Sequence, residues 1–131
     1  MQQNTINSKV KAEFFFCADK LDFNIVNCLM GITATRIRTS ESFRIKEFAK
    51  DYWCLSTEYE ASEDISIQLN KIFVTISTKK NAIKNICEQY DSSCAFLVVV
   101  EYNDIFPTVH IGRDFVKFAA EIDAEIGITF N

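Results

Sequence analysis

The chain has few of the residues from which chemical sites are usually built. Its 131 residues hold three glycines, one proline and one histidine. Gly31, Gly112 and Gly127 are too dispersed for a glycine-rich loop that cradles phosphate. The five cysteines (Cys17, Cys28, Cys54, Cys87 and Cys94) form no CxxC, which removes the zinc-ribbon and thioredoxin-type readings. No apolar run approaches the twenty or so residues that cross a bilayer, so no membrane association is expected. Excess positive charge is also missing. A net charge of −4 argues against a general nucleic-acid binder, because phosphate contacts need a cationic face.

What is present is apolar and aromatic. Hydrophobic residues make up 48% of the chain, and twelve are phenylalanine, which points to a packed core rather than a disordered segment. No Gly-, Pro- or Ser-rich linker interrupts the sequence, so residues 9–131 are expected to form a single domain after a flexible tail at residues 1–8. That tail lacks an apolar signal core. Together with free thiols, this makes a cytoplasmic location the expectation.

Periodicity gives the elements. Val10, Ala12, Phe14 and Phe16 alternate with Lys11, Glu13 and Phe15, predicting a strand with one buried and one partly covered face. Asp22 reads as an N-cap, with Leu21 stapled to Val26, and Gly31 as the stop of a short helix. Thr33–Thr39 and Tyr52–Thr57 read as strands, and Ser40–Asp51 between them as a partly ordered connection. Ser62 is expected to cap a helix whose buried stripe is Ile65, Leu69, Ile72, Phe73 and Ile76. A second helical piece carrying Ile83, Ile86, Cys87 and Tyr90 follows after a bend at Ser77-Thr78.

Cys94–Val100 is an apolar strand, and Glu101–Asp104 a turn-like joint. Phe106–Gly112 is expected as a return strand, Arg113–Glu121 as a helix and Glu125–Phe130 as a closing strand. The order β-α-β-β, a long helical section, then β-β-α-β predicts an α+β fold. Its sheet is expected to be mostly antiparallel and covered by helices on one side.

Leu21-Asp22, Leu29-Met30-Gly31-Ile32 with Thr35, Trp53-x-x-Ser56, Leu69, Val100-Glu101, Pro107 and Ile126–Phe130 carry a resemblance. Over Lys11 to Phe130 the chain resembles the bacterial family known as domain of unknown function 4279. Where that family commonly has proline before the position of Thr35, this chain has Ala34. The resemblance implies a small α+β domain without agreed catalytic residues. It also implies the company of bacterial toxin and interbacterial-competition genes.

Candidate sites follow from residue type. His110, the sole imidazole, is the usual suspect for acid–base work, yet its alternation with Val109 and Ile111 reads as an ordinary strand position. A nucleophilic pair with Cys54, Cys87 or Cys94 requires a meeting in space that spacing does not show. Glu121, Asp123 and Glu125 offer oxygens, but a solvated acidic helix end is the plainer reading. Lys71, Lys79, Lys80 and Lys84 lack the Gly-centred turn of a helix-turn-helix. No catalytic residue, metal or cofactor is therefore expected, and the protein is read as a non-enzyme.

Two surfaces remain as partner-binding candidates. Arg36 and Arg38 share one face of a strand, where they could stack on Trp53 or grip a carboxylate or phosphate. Trp53 itself reads either as a sheet-core anchor or as the centre of a recognition surface. From Glu88 onward eight acids, Glu101, Asp104, Glu121, Asp123 and Glu125 among them, face only Arg113 and Lys117. An acidic side of that kind suits a basic protein partner such as a toxin domain. The sequence-level expectation is an immunity- or antitoxin-like protein that neutralises a toxin by direct binding. Its rival is a small-ligand or regulatory module using a Trp53/Arg36/Arg38 face. Either reading is compatible with a dimer.

Overall fold

Residues 5–131 are described by a computed structural model of the chain. Strand β1 (Lys9–Ala18) runs through the middle of the sheet and sets everything else. Its even-numbered residues Val10, Ala12, Phe14 and Phe16 are fully buried, because ten residues of alternating pattern put all of them on one face.

Helix α1 (Phe23–Met30) starts where the Asp22 carboxylate accepts the Ile25 N–H at 3.2 Å. It stops at Gly31, whose φ of 65° is left-handed backbone that a Cβ would strain. Three-residue strand β2 (Arg36–Arg38) follows, shorter than the Thr33–Thr39 expected, then two 3₁₀ turns, β3 (Asp51–Ser56) and β4 (Glu60–Ala61). Helices α2 (Ile65–Ile76) and α3 (Lys80–Tyr90) are separated at the predicted bend. Strand β5 (Ser93–Glu101), α4 (Arg113–Glu121) and β6 (Glu125–Phe130) complete the chain.

The sheet order is β2-β3-β1-β5-β6, with β4 paired to β1 outside that path. All pairings are antiparallel except β5–β6, which the α4 crossover makes parallel. The fold is α+β, with a mostly antiparallel open sheet. All four helices contribute to one core cluster: Val26 and Met30 from α1, Ile65, Leu69, Ile72 and Ile76 from α2, Ile83 and Ile86 from α3, Phe115 and Phe118 from α4. They meet Phe14, Phe16, Trp53, Phe96 and Val98, so every helix lies against the same face of the sheet.

Three expectations are corrected. Residues 106–112 form no strand. Pro107 has no N–H to give a ladder, and both neighbours of β5 are already taken by β1 and β6. The segment is instead a strap: Thr108 donates to the Glu63 carbonyl at 2.7 Å and accepts from Ile65 at 3.1 Å, with isolated bridges at Ile105 and Thr108.

The cap of α2 is Asp64, which accepts the Ser66 N–H at 2.9 Å, while the Ser62 hydroxyl receives the Asp64 N–H one turn earlier. Residues 6–8 are tied down rather than forming a tail. Ser8 is buried, donates its hydroxyl to the Ile105 carbonyl at 2.7 Å and accepts the Asn103 N–H at 2.8 Å. Residues 1–4 of the expected tail lie outside the described residues.

Candidate functional site

The helix-free face of the sheet carries the odd-numbered residues of β1, and its chemistry differs from that of the core. Register sets Arg36 opposite Cys54 and Arg38 opposite Tyr52, with Phe15 across from Cys54 on the next strand. Glu13 lies among them, opposite Ser56 on β3 and Leu97 on β5. Glu13, Phe15, Arg36, Arg38, Tyr52, Cys54 and Leu97, with Ile37, line a cleft of about 460 Å³.

At the bottom of the cleft is a charged side chain. Glu13 is only 4% exposed, yet its carboxylate is satisfied. Lys11 Nζ lies 3.1 Å from one oxygen, and an Arg36 guanidinium nitrogen lies 3.4 Å from both. The Cys54 thiol donates to the other oxygen at 3.6 Å. Burial, then the Glu13 carboxylate, push the Cys54 thiol up to about 11, and Arg36 only partly offsets this. A thiol held protonated at neutral pH serves as a hydrogen-bond donor to Glu13. The Arg38 guanidinium carbon lies over the Phe43 ring, 3.8 Å from its centroid, and Phe43 in turn stacks on Tyr52 at 6.0 Å.

Trp53 does not belong to this face. It is 0% exposed, its ring packs on Phe16 at 5.5 Å, and its Nε1 donates to the Asn27 side chain of α1 at 2.7 Å. The expected Trp53/Arg36/Arg38 surface is therefore corrected. Trp53 pairs with Ile37, so the two arginines point to the opposite side of the sheet.

The acids are also split. Glu125 pairs with Ala95 near the start of β5, whereas Glu101 ends that strand six residues later, about 20 Å away at strand rise. Asp123 lies near Cys87 and Cys94, and Glu121 forms an ion pair with Lys80 at 3.3 Å. Glu101 and Asp104 instead lie beside a cluster of exposed aromatics. Tyr102, Phe106 and Phe130 are 52%, 57% and 47% exposed, and their rings contact one another at 4.7 and 5.3 Å. Lys9 faces Glu101 across the strand pair, and Asp104 accepts the Ile6 N–H at 2.9 Å.

His110 meets no thiol. It is exposed on the strap beside Arg113 and Asp114, in a groove between α2 and α4, while hydrogen bonds from the Ser66 backbone and side chain draw the nearby Asp64 carboxyl down. Cys94 lies 3.6 Å from the Ile122 carbonyl, at the far end of α4, a helix about 13 Å long. Cys94 is pushed up by its hydrogen bond with Cys87 and by burial, and the same bond draws Cys87 down. Cys54 is across the sheet from both. Among the described residues, no three His, Cys, Asp or Glu side chains gather as metal ligands. No helix of the described residues is long and apolar enough to cross a membrane.

Sequence reasoning missed Glu13, Phe15, Tyr52 and Cys54 as one site, and Tyr102, Phe106 and Phe130 as another. A lone carboxylate inside Lys11–Phe16, where both faces are otherwise largely apolar, was the available signal for the first. Aromatics interleaved with acids in a turn were the signal for the second.

No curated protein and no solved structure matches the chain. A family model does, over residues 8–131, and nearly the whole chain therefore belongs to the family described as a domain of unknown function, DUF4279.

Proposed function

We propose that the protein acts by binding rather than by chemistry, and that it captures a basic protein partner, in the manner of an immunity protein occupying a toxin. The observation that carries this reading is the aromatic corner formed by Tyr102, Phe106 and Phe130 with Glu101 and Asp104 beside it. Three large rings, Phe106 touching both of the others and each about half exposed, form an apolar patch of the kind that marks interaction sites on soluble domains. Their faces are electron-rich and their neighbours are carboxylates, so the complementary surface presents lysine or arginine. Tyrosine and phenylalanine supply contact area at low entropic cost, as hot-spot residues do.

A pull-down from the host with crosslinking mass spectrometry tests this. The expected result is a stoichiometric basic partner crosslinked near residues 101–106, lost from the Tyr102→Ala/Phe106→Ala double variant and weakened by added salt. Retention of the partner by that variant, or a partner without an excess of lysine and arginine, overturns the reading.

A further inference from the structure

We infer that the cleft on the helix-free face is a separate binding site, for a small carboxylate carried on an apolar body. The cleft and the aromatic corner lie on different parts of the sheet. The first is built over β2, β3 and β1 and reaches Leu97 of β5, the second lies at the ends of β5 and β6. Leu97 and Glu101, the nearest members of the two along β5, are about 13 Å apart at strand rise. Neither site depends on the other.

The cleft has the size and composition of a small-ligand pocket. Its apolar surface is Phe15, Tyr52 and Leu97, enough for a ring or a short branched chain. Its cationic rim is Arg36 and Arg38, on one face of β2 and about 6.6 Å apart at strand rise. Each guanidinium is held by something other than a ligand. Arg36 is tethered to Glu13 through one terminal nitrogen, and Arg38 is stacked on Phe43.

Both arrangements fix a planar fork in place while leaving N–H donors along its edge, the geometry that takes a carboxylate in a bidentate grip. Among the described residues, Arg38 makes no ion pair and no side-chain hydrogen bond, although it borders an otherwise apolar hollow.

Glu13 gives the site its selectivity. A buried carboxylate beneath the rim tolerates a single negative charge at the mouth, where two arginines and Lys11 outnumber it, but repels a dianion that reaches deeper. The apolar surface adds affinity for a carbon skeleton that inorganic phosphate lacks. A monocarboxylate with an aryl or cycloalkyl body therefore fits better than phosphate.

Calorimetric titration of the full chain with phenylpropionate, phenylpropionamide and inorganic phosphate tests this, with backbone amide shifts followed in parallel. The acid is expected to bind saturably and shift Phe15, Tyr52 and Cys54. The uncharged amide and phosphate are expected to bind at least about tenfold more weakly. Arg38→Met, an exposed position whose unfolding midpoint reports whether the fold is intact, is expected to lose binding of the acid by a similar factor. Arg38→Lys recovers only part of it, because the fork is gone. Equal binding of acid and amide, unchanged affinity in Arg38→Met, shifts confined to other surfaces, or no saturable binding of the acid each overturn the assignment.

Discussion

The two faces of this sheet are built from the same strands, alternate residues of which face opposite environments. On the covered face β1 contributes Val10, Ala12, Phe14 and Phe16, β5 contributes Phe96 and Val98, and β3 contributes Trp53, all buried with helix residues against them. On the other face the same strands present Lys11, Glu13, Phe15, Tyr52, Cys54 and Leu97, and β2 adds its two arginines. The covered face needs only shape and apolar area. The helix-free face keeps a buried carboxylate and two oriented guanidiniums, which contribute little to stability and cost desolvation. Polar groups retained where an apolar residue would pack as well are what the proposed carboxylate site requires of that surface.

Substitutions can break this contrast, and the largest effect should come from the covered face. Trp53→Ala removes a fully buried indole and leaves its Asn27 partner unpaired, so urea unfolding should show a loss of about 3–5 kcal/mol. A loss under 1 kcal/mol would mean that Trp53 is not a core anchor. Glu13→Leu tests the other face. Lys11 and Arg36 have routes to solvent, so removing their shared acceptor strands no buried charge. Stability should change by less than about 1.5 kcal/mol, in either direction. A loss of 3 kcal/mol or more would make Glu13 structural.

Titration sharpens the same comparison. The Cys54 thiol has a folded value raised to about 11, so it contributes stability at neutral pH that is lost as pH rises from the ordinary thiol range through that value. Cys54→Ser should flatten the alkaline limb of the stability profile, and an unchanged limb would contradict the assignment. In native protein at pH 8, alkylation should reach exposed Cys28 well before Cys54. Comparable labelling rates would show that the helix-free face opens. The smallest stability effect belongs to Arg38→Met, within about 0.5 kcal/mol, since an exposed side chain stacked on one ring holds little of the fold.

Much of this architecture was legible in the residues. Asp22 and Gly31 bounded α1 because a cap and a left-handed stop are local requirements, and the alternation through Val10–Phe16 marked which side of β1 is core. What depends on pairing between strands was not legible. Arg36 pairs with Cys54 rather than Trp53, and that single step of register moves the arginines to the face opposite the tryptophan. The segment 106–112 alternates like a strand but has no sheet edge left to join, because α4 delivers β6 to that position. Acids adjacent in sequence were read as one surface, yet β5 is long enough to carry them to opposite ends.

Whether the ring cluster at the sheet end exists for a partner or for the fold is decided most directly by urea unfolding of the Tyr102→Ala/Phe106→Ala double variant. Half-exposed rings that serve recognition should cost less than about 1.5 kcal/mol together when removed, with the slope of the transition unchanged. A loss of 3 kcal/mol or more would show that these aromatics hold the molecule together, and the binding account would lose its main support.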